Sequence, residues 1–105
     1  MDEATIRRRI ARHASALVAG DVSEAGGDFA EELRARAAEI VAQLPPAIGF
    51  AELTKLEPAD GGVVARVRFS GPGAEATVEE RWEQRGTRPQ IVAIRVVGQL
   101  DEGEG

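Results

Sequence analysis

The chain has 105 residues, 43% hydrophobic and 30% charged, with a net charge of -5. That length supports one domain with one core, and the supply of Leu, Ile, Val and Phe excludes intrinsic disorder. The acidic balance disfavours general nucleic-acid binding, which needs a basic surface for phosphates, the run Arg7, Arg8, Arg9 with Arg12 being the one local exception, and the lack of cysteine excludes disulfides and thiolate metal sites. No apolar run approaches the roughly 18 residues that span a bilayer, and the opening MDEATIRRRIARH lacks the apolar core of a signal peptide. The expectation is a cytoplasmic protein without membrane contact, cofactor or bound metal.

In chain order, Ile6, Ile10, Ala14 and Leu17 recur at a spacing that lines one face of a helix from Ala4 to Val18, which Gly20 ends. Asp21 to Gly27 reads as a connector. Asp28 followed three residues later by Glu31 matches a capping box, predicting a second helix from Phe29 whose apolar face is Phe29, Leu33, Ala37, Ile40 and Leu44. Pro45 and Pro46 stop it, since proline lacks the donor that the next turn needs.

Beyond the prolines the period becomes alternating. Four strands are predicted, Phe50 to Glu57, Val63 to Ser70, Ala74 to Arg85 and Pro89 to Val97, joined by short Gly- and Pro-bearing links. Links this short make hairpins, so the sheet is an antiparallel meander. The fold class is therefore α+β, with two N-terminal helices on a curved four-stranded sheet, as a single domain over residues 1–98 with a flexible acidic tail over 99–105. A four-residue loop, Ser70 to Gly73, would pair Phe69 with Ala74 and Val63 with Glu80. The last hairpin would pair Trp82 with Val92, Glu80 with Ile94 and Glu79 with Arg95. The fourth strand is apolar on both sides, since Ile91, Ala93 and Val97 stand opposite Val92, Ile94 and Val96. This predicts that the helices cover one face and a second copy of the chain covers the other, through Ile91, Ala93 and Val97.

Ala19-Gly20-Asp21 after the first helix, and the segment from Arg81-Trp82-Glu83 through the turn at Gly86 to Ile91-Val92-Ala93, resemble the nuclear transport factor 2-like superfamily, which includes the SnoaL-like polyketide cyclases. The resemblance covers about Ala4 to Val97 and implies an α+β roll of cystatin-like arrangement with a pocket between helices and sheet. Only Asp21 to Gly27 is available where such folds place further elements, so the implied pocket is trimmed. The superfamily's enzymes use inward Asp, Tyr, His or Asn sets, and this chain has neither Tyr nor Asn.

His13, the single histidine, falls between Ile10 and Leu17 on the inner side of the first helix. It serves either as a structural histidine or as a general base. Alternation puts Glu80 on the face of Val78 and Trp82, where desolvation would raise its pKa. Both residues are candidates for proton transfer. Trp82, Phe69 and Leu17 are the candidate apolar lining of a ligand pocket, and Glu52 joins them as an acidic candidate if the first strand buries Phe50 and Leu56. Arg7, Arg8 and Arg9 point in three directions on a helix and form no stripe. Three functions follow, of which a nucleic-acid adaptor through Arg7 to Arg12 is least favoured by charge. A non-catalytic module, dimeric and binding a small apolar ligand or a protein, asks least of these residues; an isomerase, cyclase or hydrolase using Glu80 and His13 is the alternative.

Overall fold

The computed structural model describes residues 2–45 and 47–101, and Pro46 and the end of the acidic tail lie outside them. The order is α1 (Glu3–Val18), α2 (Val22–Gly26), a 3-10 turn (Glu31–Leu33) running into α3 (Arg34–Val41), then β1 (Phe50–Ala59), β2 (Gly62–Gly71), β3 (Ala74–Arg85) and β4 (Arg88–Asp101). The class is α+β. The strands lie in the sheet in chain order, all antiparallel, and the helices pack on one face of it. Among the described residues, no helix is long and apolar enough to cross a membrane.

The first two helices each start where a side chain satisfies a free backbone donor. Asp2 accepts from the Thr5 N–H at the head of α1, and Asp21 accepts from the Glu24 N–H at the head of α2. The expected connector thus holds a helical turn. Buried Ile6, Ile10, Ala14 and Leu17 are the inner stripe of α1, and they meet Ala65, Val67, Phe69, Ala76, Val78 and Trp82 of the sheet in one core.

The capping box does not form. The 3-10 turn begins after Ala30 with no side-chain cap, and the Asp28 carboxylate turns inward to His13 instead. The backbone explains the change. Ile91 N–H donates to the Asp28 carbonyl, and Ala30 N–H donates to the Ile91 carbonyl, so Asp28 to Ala30 is an extended bridge on β4 and cannot also be a first helical turn.

Two registers differ from expectation. The β2–β3 link is the two-residue Pro72-Gly73, with Gly71 opposite Ala74, Phe69 opposite Ala76 and Val63 opposite Trp82. Gly71 ends the strand opposite Ala74 and packs against the Ala47 carbonyl, with which any added Cβ would collide. In β4, Glu80 pairs with Ile94 and Glu79 with Arg95, but Trp82 pairs with Ile91, leaving Val92 as a bulge; Val97 is a second. A bulge adds one residue on one strand and reverses the alternation beyond it. Ile91 and Ile94 are therefore both buried on the helix side, as is most of Val96.

This corrects the expected dimer surface. Ile91 is fully buried against Phe29, and of the three residues only Ala93 and Val97 are exposed. The two-sided apolar pattern of β4 follows from its two bulges. The outer face of the sheet instead carries paired charges: Arg66 and Arg95 on Glu79, Arg68 on Glu52, and Arg81 on Glu83. β4 also runs past Val97 to Asp101, so Gln99 is strand, its side-chain amide donating to the Gln43 carbonyl.

Candidate functional site

α1 carries His13 inward, the α2–α3 link carries Asp28, and β3 carries Glu80 and Trp82 on its helix side; the four meet in the core. His13 Nδ1 lies 2.9 Å from Asp28 Oδ2. With Asp28 as a carboxylate, Nδ1 is the donor, which orients the ring and leaves Nε2 pointing at Glu80. That nitrogen stands 3.8 Å from Glu80 Oε2, while the other Glu80 oxygen accepts from the Trp82 indole N–H at 3.1 Å. His13 is clamped edge-on between the rings of Phe29 and Trp82, with centroids at 5.3 and 5.7 Å. Arg9 stands 3.8 Å from the second Asp28 oxygen at the solvent end of the line.

His13 and Glu80 are each 1% exposed. Burial works to lower the His13 pKa, but the hydrogen bond to Asp28 and the carboxylates of Glu80 and Asp28 outweigh it and hold the imidazole above its ordinary 6.5. Burial raises the Glu80 pKa above its ordinary 4.5 against the opposing pull of His13 and the Trp82 N–H. His13 Nε2 and Glu80 Oε2 are both without a hydrogen-bond partner among the described residues. They face each other as sites for one shared proton, either on the imidazole beside a carboxylate or on the carboxyl beside a neutral imidazole. The sequence paired Glu80 with His13 beside Trp82, and the structure brings the three together, though packed in the core rather than at a cavity wall; Asp28, the group that orients His13, was disguised by its capping-box spacing.

The expected ligand lining is divided. Trp82 and Phe69 are fully buried in the packed core, and neither lines a cleft of comparable size to those described below. Glu52 faces outward and pairs with Arg68 at 2.6 Å. The expectation that Phe50 and Leu56 share a face fails at the bulge between Leu53 and Lys55, which reverses the alternation within β1 and leaves Phe50 about half exposed. Leu17 alone reaches a cleft.

That cleft, about 480 Å³, lies between α2 and α3. Leu17, Ala25, Phe29, Ala37 and Val41 form its walls, and Ser23 and Arg34 are its polar side chains. A second cleft of about 520 Å³, with no charged residue in its lining, adjoins it across Leu17, Val22 and Val41. Phe29 belongs to both regions: it is in the cleft lining, and its ring packs against the His13 imidazole. Neither His13 nor Glu80 lines either cleft. Among the described residues, no group of three or more His, Cys, Asp or Glu is placed to hold a metal ion. No known family model, characterised protein or solved structure matches the chain significantly.

Proposed function

We propose that this domain is a non-catalytic small-molecule-binding module of nuclear transport factor 2-like type, taking an apolar ligand in the cleft between α2 and α3. The carrying observation is the contrast between an open apolar cleft and a polar cluster closed off behind Phe29. The cleft volume falls in the roughly 300–1,000 Å³ range of small-molecule pockets, with few polar groups in its wall. α2 and the Asp28–Ala30 bridge also occupy the interval in which the resembled superfamily places extra elements. With Ile91 in the core, dimerisation is no part of this reading.

Titration of the ¹⁵N-labelled protein with 1-decanol below its solubility limit tests it. The amides of Ser23, Gly26, Gly27 and Phe29 should shift saturably, and Ala38→Trp, at an exposed position in the cleft wall, should abolish the shifts while the thermal midpoint holds. Unmoved amides would end the reading.

One observation favours an enzyme of isomerase, cyclase or hydrolase type: the facing, unpartnered Nε2 of His13 and Oε2 of Glu80. Such an enzyme must open at Phe29 to admit substrate. Diethyl pyrocarbonate then modifies His13 at close to the rate of free imidazole, whereas the binding module protects it.

A further inference from the structure

We infer that the ligand of the α2–α3 cleft is an amphipathic monocarboxylate, its apolar body against Leu17, Phe29 and Val41 and its carboxylate on the guanidinium of Arg34. This rests on the binding-module reading and adds the ligand's chemical class.

The sign of the cleft differs from that of the chain. Asp and Glu outnumber Lys and Arg by 18 to 13, yet no carboxylate lines the cleft, and Arg34 is its one charged residue. No ion pair to Arg34 occurs among the described residues; Glu24 of α2 is paired with Arg12 at 2.9 Å and Glu32 with Arg85, while Glu31, three residues before Arg34, lies outside the cleft lining. The cleft thus offers an uncommitted planar donor beside a large apolar wall. A guanidinium matches a carboxylate with two parallel N–H···O bonds. Ser23 supplies a hydroxyl on the same lining. A cationic ligand meets repulsion here, and a neutral one leaves the Arg34 donors to water.

Decanoate, 1-decanol and decylammonium share one apolar body, so their affinities separate head group from cleft. Each is titrated below its aggregation limit, following the amides of Ser23, Gly26 and Gly27. Decanoate should bind about tenfold more tightly than 1-decanol, the weight of one partly exposed charge-assisted contact. Decylammonium should bind most weakly. Arg34→Gln, at an exposed position, should remove the decanoate advantage, so that the variant binds decanoate and 1-decanol with equal affinity. Equal binding of all three, or an unchanged decanoate preference in Arg34→Gln, overturns the carboxylate assignment and leaves the binding module standing. Absence of any shift with all three overturns both.

Discussion

Glu79 and Glu80 are neighbours on β3, and the pleat sends them into opposite environments. Glu79 stands on the outer face between Arg66 and Arg95, with contacts of 3.1 and 3.0 Å. Burial there works to raise its pKa, but the two guanidinium groups prevail and hold it below the ordinary 4.5. Glu80 has one indole donor and an imidazole at 3.8 Å, and burial wins. One residue of displacement therefore separates a carboxylate kept ionised by its partners from a carboxyl biased toward its neutral form. The outer face is a ladder of ion pairs in which each member is replaceable; the inner face holds a single polar line on which packing depends.

The sharpest way to test that division is a charge at Ile91. Because Ile91 is buried on the helix side, Ile91→Lys should cost on the order of 4 kcal/mol or more, a large part of a small domain's stability, and circular dichroism should show loss of the fold. Folded protein at wild-type stability would put Ile91 outside and break the assignment of faces. His13→Ala comes next. It leaves Asp28 and Glu80 without their shared partner, at about 3–5 kcal/mol by urea unfolding at neutral pH; a cost under 1 kcal/mol would mean that the line carries little.

The pH profile separates the two glutamates by sign. Folded His13 and Glu80 titrate above 6.5 and 4.5 respectively, so folding favours their protonated forms. Their contributions are complete below those ordinary values and are lost as pH rises through the raised ones. Glu79 titrates below 4.5 when folded, so its contribution is present above that pH and lost as pH falls. Glu80→Gln should flatten the high-pH decline of stability and shift the NMR titration of His13. Glu79→Gln should alter only the acid limb. The reverse assignment of limbs would exchange the two environments. The smallest effect is Glu79→Ala at pH 7, no more than about 1 kcal/mol, because its arginine partners are well solvated.

Two periods were enough to read the helix–sheet plan and the four strands from the sequence: the 3.6 spacing of Ile6, Ile10 and Leu17, and the alternation of Val63, Ala65, Val67 and Phe69. The same alternation predicted the pairing of Glu80 with Ile94. It failed at Val92 and the β1 bulge, where one inserted residue reverses the faces without an adjacent glycine or proline to mark it, and at Val97, which stands beside Gly98. Asp28 was misplaced for a different reason. A capping box is a local pattern, and here it loses to two long-range backbone hydrogen bonds with Ile91. The cleft had no local signature at all, because Leu17, Val22 and Val41 come together only when α2 folds across the end of α1.

The Asp28–Ala30 bridge also bears on how this chain behaves when crowded. A four-stranded open sheet has two free margins on which a foreign strand can grow. On β4, that margin is occupied around Ile91 by the chain's own backbone. On β1, the other margin, the ladder is kinked between Leu53 and Lys55, and Pro58 withholds an amide. Both rims are thereby interrupted as templates for an added strand, β4 around Ile91 and β1 at its kink and at Pro58.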